Sequence, residues 1–330
     1  MKDRRMQYWW VNQNQTFRHE VGGGYLWSPK RKSNQARNPY YDFMREVAPG
    51  DLIFSFAGTQ IPAVGIAQSH AYEAPKPLEF GQAGAHWDTI GWRLDVRFTR
   101  LTQVIRPADH MDVLSPHLPE RYAPLRSNGA GLQSVYLTRL SEELAGALLD
   151  LMGAEAHALA LAASVAVPSD SAVGLVQWEE HELQRVQTDP TIPETDRTAI
   201  VLARRGQGLF KRRVMEIEQA CRVTRVDREE HLRASHCKPW RDSSNEERLD
   251  GENGLLLTPS IDHLFDRGFI SFADDGALIV SPVAHHNSLR RMGIDTTSSM
   301  QVGAFSAGQR RYLDYHRDNV LLKSSFLERL

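Results

Sequence analysis

Cysteine is nearly absent: 330 residues contain two, Cys221 and Cys237. Two thiols cannot build a four-cysteine zinc site, and there is no CxxC pair, so no structural zinc is expected. Nothing demands a disulfide, and reduced intracellular thiols are the default. Long apolar runs are missing as well. The stretch ALALAASVAV (158–167) is too short and too alanine-rich to span a membrane, and MKDRRMQYWW has no apolar segment of signal-peptide type. No membrane partner and a cytoplasmic location are therefore expected. An excess of one charge is lacking too. A formal net charge of -2 excludes a generally basic nucleic-acid coat protein but not a local basic surface. No repeat of solenoid period is present.

What is there reads as an ordinary globular chain, 41% hydrophobic and 24% charged, of a length that suits two domains. The first part reads as α+β with much strand. DLIFSFAG (51–58) is an apolar run bounded by Pro49-Gly50 and Gly58. IPAVGIAQSHAYE (61–73) is a second strand, with Gly65 as a bulge or close backbone approach. WRLDVRFTRL (92–101) alternates as a half-buried strand does, and YWWVNQ (8–13) is another. NPYYDFMREV (38–47) has helical spacing. These elements suggest a small curved sheet or barrel. SEELAGALLDLM (141–152) reads as a helix capped by Ser141. The composition then turns small and Ala/Ser/Val-rich over 153–175, the best linker or domain boundary. A charged helix at 177–187 and a proline-bounded break at 189–196 follow. From 197 the chain is helical and basic, interrupted by GQG (206–208). LRASHCKPW, LLLTPSIDHLFDRG and FISFADDGALIV then read as strand, strand into helix, and hairpin.

The second half carries what a metal-dependent phosphodiester nuclease needs: a base, a hard cation and groups that hold the backbone. His236 ends a short apolar segment, and imidazole suits a base near neutrality. Asn253, in the turn GENG, can tie its loop to the preceding strand. Asp262 and Asp266 stand four apart in a helical pattern, so both carboxylates share one face and can share a cation. Oxygen ligands favour Mg2+ or Mn2+. Arg204, Arg205, Lys211, Arg212 and Arg213 form a basic cluster, and Lys238 follows the histidine. Taken singly, a histidine is more often structural and a charge run is more often a solvated face. Together, in this order, they favour phosphate chemistry.

ASHCKPW (234–240), RLDGENGLLL (248–257) and DHLFDRGFISF (262–272) resemble the HNH family of the ββα-metal nuclease fold. The resemblance covers roughly residues 200–285. It implies His236 as general base, Asn253 as loop organiser and the 262–266 helix as platform for one divalent ion. Two positions depart from the common pattern. Many members carry Asp or His directly before the histidine, where this chain has Ser235. The third motif residue is often His, where this chain has Asp262 with His263 beside it. Asp262 with Asp266 is the expected ligand set and His263 the reserve.

The first half is dense in aromatics, and core packing is the first reading for each. Yet Trp27 precedes Ser28 and the basic, amide-rich KRKSNQARN, and Ser55 lies between Phe54 and Phe56. An aromatic slot with amides and a hydroxyl suits an extruded base. YWWVNQ, YLWSPKRKSNQARNPYYDFM, PGDLIFSFAGTQIPAVGIA and GWRLDVRF together resemble the EVE domain, a PUA-like fold. That resemblance implies a base pocket with Trp27, Ser28, Asn34, Arg37, Asn38, Ser55 and Phe56, joined by Trp10 and Asn12. The expected layout is an EVE-like curved barrel (1–140), a helical and flexible linker (141–196) and an HNH domain (197–330). This resembles the EVE–HNH modification-dependent restriction endonucleases, which implies double-stranded DNA with 5-methylcytosine or 5-hydroxymethylcytosine as substrate and a homodimer to cut both strands. The alternatives are a non-catalytic reader with a degenerate HNH domain and a nuclease indifferent to modification.

Overall fold

The computed structural model describes residues 6–34, 36–132, 135–165, 173–296 and 300–322. The chain divides into two compact units, one running to Leu175 and one from Val176 onward. The division falls inside the expected linker, of which residues 166–172 lie outside the described residues, as do 323–330 of the expected nuclease domain.

In the first unit, seven strands make one mixed sheet: β1 (Tyr8–Asn12), β2 (Tyr25–Pro29), β3 (Leu52–Ala57), β4 (Gln60–Ala67), β5 (Tyr72–Pro75), β6 (Ile90–Ile105) and β7 (Leu137–Leu140). The order is β2-β6-β4-β3-β1-β7, with β5 also on β6. Only the β1–β3 pair is parallel. YWWVN reads as an unbroken apolar run because both faces are covered. Trp9 and Val11 enter one core with Ile53 and Leu94, and Trp10 enters another with Phe54 and Phe56. The sixteen-residue β6 pairs with β2 and β5 through its first part and with β4 through its second. The register between β4 and β6 shifts between Ile61/Ile105 and Ala63/Arg100, with the extra residues on β6, and such an irregularity adds to the curl of the sheet. Gly65, expected as a bulge or close backbone approach, is instead crowded by side chains: a Cβ there would stand 2.5 Å from Val96 Cγ1 and 2.8 Å from Phe98 Cε1.

The short helices of this unit are α1 (Phe17–Gly23), α2 (Pro39–Asp42) and α3 (Met111–Leu114), followed by α4 (Glu142–Met152) and α5 (Ala154–Val165). Ser141 caps α4 as expected, its side chain accepting from Leu144 N at 3.1 Å. The alanine-rich stretch expected as linker instead forms α5, and Ala156, Ala160 and Ala163 pack into the core with Trp10 and Phe54. Small residues at helical spacing let a backbone lie close to a sheet, a use of alanine that composition does not separate from a linker's.

The second unit holds most of α6 (Val173–Thr188), then α7 (Glu194–Arg204), α8 (Gly208–Ile217), β8 (Arg233–His236), β9 (Gly254–Leu257), α9 (Pro259–Asp266), β10 (Ile270–Phe272), β11 (Leu278–Val280), α10 (His286–Arg291) and α11 (Ala307–Asn319). Gly206 breaks the basic helix where expected. Its φ is +63°, and a Cβ would meet the Ala234 carbonyl oxygen at 2.6 Å. β8 and β9 form an antiparallel hairpin that leads into α9, the ββα unit. Its core joins Phe210 and Val214 of α8, Leu255 to Leu257 of β9, and Ile261 and Phe265 of α9.

Candidate active site

His236 is the last residue of β8, opposite Gly254 on β9. A pleated strand end aims its side chain to one face, and there Phe210 lies flat against the imidazole, with centroids 3.8 Å and planes 2° apart. The Nε2 atom stands 3.0 Å from the Arg248 carbonyl oxygen. A carbonyl only accepts, so Nε2 carries the hydrogen and Nδ1 keeps its lone pair. Burial is the main force that pushes the pKa down to about 4. The charges of Arg204 and Arg248 push the same way, and the bond to the Arg248 carbonyl opposes them. At neutral pH the ring is uncharged, the form that takes a proton. The residue stays partly exposed and lines a cleft of about 890 Å³.

Asn253 is fully buried. Its Oδ1 accepts from Lys238 N at 2.8 Å, and its Nδ2 donates to the carbonyls of Lys238 (3.3 Å) and Glu247 (3.0 Å) and to Ser243 Oγ (3.3 Å). One amide thus closes the loop from 238 to 253, which carries the Arg248 carbonyl. The Arg248 side chain clamps the same loop: Nε donates to the Trp240 carbonyl at 2.9 Å, Nη1 to Asn245 Oδ1 at 2.9 Å, and the guanidinium lies 4.0 Å over the Trp240 ring. Sequence reasoning missed Arg248 because its contribution at the histidine is a main-chain oxygen.

Asp262 and Asp266 both line the cleft with Ser235 and His236. Asp262 Oδ2 accepts from Arg233 Nη1 at 3.3 Å. His263 is exposed, off the cleft lining, with its ring 6.4 Å from Phe269. Among the described residues, no group of three or more His, Cys, Asp or Glu side chains is arranged to hold a metal ion. Two carboxylates on one helix face suit a hard cation that takes its remaining oxygens from water and phosphate. Cys221 and Cys237 are free and buried, and burial pushes the Cys237 thiol up.

Of the basic residues, Arg204, Arg205 and Lys211 line the cleft. Arg212 is exposed elsewhere. Arg213 donates to the Leu249 carbonyl at 2.8 Å, and Lys238 pairs with Glu247 at 2.6 Å, so both hold the loop. Arg233, which with Arg222 and Arg225 extends the basic cluster in the sequence, also lines the cleft, as does Arg241, which the sequence did not mark.

The residues expected to form a base slot lie mostly inside the first unit. Trp10 is wholly buried and packs on Phe56 at 5.0 Å. Its Nε1 donates to Asn12 Oδ1, and Asn12 Nδ2 donates to the Leu132 and Val135 carbonyls. Trp27, also buried, donates from Nε1 to the Ala74 carbonyl at 3.2 Å. Ser55 Oγ donates to Gln13, and Asn38 caps α2. Asn34 and Arg37 are exposed on the loop after β2. Among the described residues, Ser28 is the member of this set whose hydroxyl is buried without a hydrogen-bond partner. Beside the set, fully buried Glu20 accepts from Trp27 N, Tyr136 Oη, Gln13 and Thr16, and burial raises its pKa. No sequence signal marked that carboxylate, since its partners come from three separate segments: the turn holding Gln13 and Thr16, β2 at Trp27, and Tyr136.

Residues 221–273 match the family model of the HNH endonucleases, which spans the loop before β8 through β10. The second unit therefore carries an HNH endonuclease domain over residues 221–273, and the curled-sheet unit precedes it in the chain. No curated protein matches the chain. Among solved structures, the Pho92 YTH domain in complex with m6A is similar at 11% identity, with a TM-score of 0.27, over 45% of this chain and 87% of that one. A likeness at that level fixes neither the topology nor the ligand of the first unit.

Proposed function

We propose that the protein is a divalent-metal-dependent endodeoxyribonuclease directed to duplex DNA with 5-methylcytosine or 5-hydroxymethylcytosine. In this reading the first unit reads an extruded base and the HNH domain hydrolyses the backbone. The observation that carries it is the His236 imidazole, tied through Nε2 to the Arg248 carbonyl, lining one cleft with Asp262 and Asp266. Nδ1 takes a proton from water as that water's oxygen attacks phosphorus. The bond to the 3′ oxygen then breaks, and the Arg248 carbonyl stabilises the imidazolium by accepting from Nε2. Asp262 and Asp266 would hold one Mg2+ or Mn2+, which supplies positive charge at the departing oxygen. Arg204, Arg205 and Lys211 are the phosphate contacts. Base extrusion has a free-energy cost, and a reader that repays it only for a favoured base confines a sequence-indifferent nuclease to such sites. Two strands require two centres, so a homodimer on DNA belongs to the proposal.

A second reading, a nuclease indifferent to modification, is favoured by the burial of Trp10, Trp27 and Phe56, since a stacking slot needs open ring faces. Both readings expect cleavage that EDTA abolishes and that His236→Ala lowers by about 10²- to 10⁴-fold, the range for a positioned general base. Metal-independent cutting, or full activity in the alanine variant, would remove the nuclease assignment.

A further inference from the structure

One arrangement in the cleft rests on this nuclease reading and extends it. Helix α6 contributes Glu179, Glu180 and Leu183 to the cleft lining. The Glu179 carboxylate accepts from two guanidiniums, through Oε2 from Arg204 and through Oε1 from Arg241 at 3.1 Å. Both arginines line the cleft of the centre. Arg204 at the end of α7 lies near enough to His236 for its charge to act on the ring, while Arg241 feels the charge of Asp266.

Arg241 is an unusual cation. Its side chain is 8% exposed, yet it lines the cleft. Its Nε makes no hydrogen bond and stands 3.8 Å from Asp242 Oδ2. The Trp178 ring of α6 lies 5.5 Å from the guanidinium. Burying a guanidinium is costly unless anions and hydrogen bonds offset it. A fork with an unused buried N–H suits an anion that offers more oxygens than a carboxylate does.

We propose that Arg204 and Arg241 form the seat of the scissile phosphodiester, and that Glu179 fills this seat as a carboxylate surrogate until DNA displaces it. A phosphate at the seat lies in the cleft that His236, Asp262 and Asp266 also line. Binding is then an exchange of anions on two arginines: the carboxylate leaves as the phosphate arrives. DNA held by the nuclease unit alone competes poorly against a tethered carboxylate. DNA held by further contacts wins the exchange, and so cleavage is restrained at unanchored sites.

The test uses the full chain and a labelled, unmodified duplex, with affinity read by anisotropy in EDTA and cleavage read with Mg2+ or Mn2+. Glu179→Gln is expected to bind about tenfold more tightly than wild type, since a charge-assisted clamp is exchanged for a weaker neutral one. It should also cut the unmodified duplex faster. Glu180→Gln removes the same charge from the same helix without touching either arginine, and should change affinity less than about twofold. Arg241→Ala added to Glu179→Gln should cancel the gain. Equal affinities for the two glutamine variants would overturn the seat, and so would weaker binding by a folded Glu179→Gln protein. If Glu179→Gln fails to fold by thermal unfolding, Glu179→Asp shortens the reach by one methylene. It should then tighten DNA binding, and unchanged affinity in that variant would also overturn the proposal. Wild-type cutting of modified DNA, measured alongside, keeps the two claims apart: cutting without the affinity gain sinks the seat alone, and the gain without cutting sinks the nuclease reading alone.

Discussion

The His236 imidazole takes its charge state from what surrounds it: a covering Phe210 ring, two nearby guanidiniums and a carbonyl at Nε2. Its folded pKa of about 4 lies below the ordinary 6.5. The acid limb of kcat/KM, which reports the free protein, should therefore fall near pH 4, and a limb near 6.5 would contradict the assigned surroundings. The stability consequence has the same origin. Above pH 6.5 both the folded and unfolded imidazole are neutral. As pH falls from 6.5 toward 4 the unfolded chain binds the proton first, so stability drops, by at most about 3 kcal/mol. Asn253 works through geometry instead. Asn253→Ala would leave Lys238 N without its acceptor while the Glu247 carbonyl keeps Asp250 N, and urea unfolding should show a loss of about 1–3 kcal/mol. A loss under about 1 kcal/mol would mean that Arg248 holds the loop unaided. His236 and Asn253 were legible because their chemistry depends on residue type. The Arg248 carbonyl was not, because every residue has one, and Arg241 becomes distinctive only when tertiary packing buries it.

Helix and strand periodicity carried the elements well where one face is solvated. Asp262 and Asp266 share a face because four residues make about one turn, and both reach the cleft, while His263 one position on does not. Where both faces of an element are buried the pattern loses its meaning. Trp9 and Trp10 fill opposite cores, so neighbouring aromatics signalled a sheet but not a slot. The same blindness turned Ala154–Val165 into an expected linker, because alanine spacing reads alike for a mobile tether and a tightly packed helix. Gly65 was legible as a crowded position, since a lone glycine inside a strand marks one, but side chains rather than backbone do the crowding. A larger side chain there must displace Val96 and Phe98. Gly65→Val should cost about 1–3 kcal/mol in thermal or urea unfolding, and a neutral outcome would show that β4 and β6 part easily at that point.

For the molecule as a whole, two units divided near Leu175 and Val176 make two separable claims, one about cutting and one about choosing where to cut. The cutting claim rests on the HNH match and on the geometry around His236. The choosing claim rests on the EVE resemblance and on the unpartnered, buried Ser28 hydroxyl. It must contend with aromatic rings that are already covered. The most direct measurement is cleavage of one DNA fragment prepared with cytosine, 5-methylcytosine or 5-hydroxymethylcytosine, each with Mg2+, Mn2+ or EDTA. The account predicts metal-dependent cutting of a modified form and little cutting of the unmodified one. Equal cutting of all three would contradict the reader, and no cutting with either metal would contradict the nuclease.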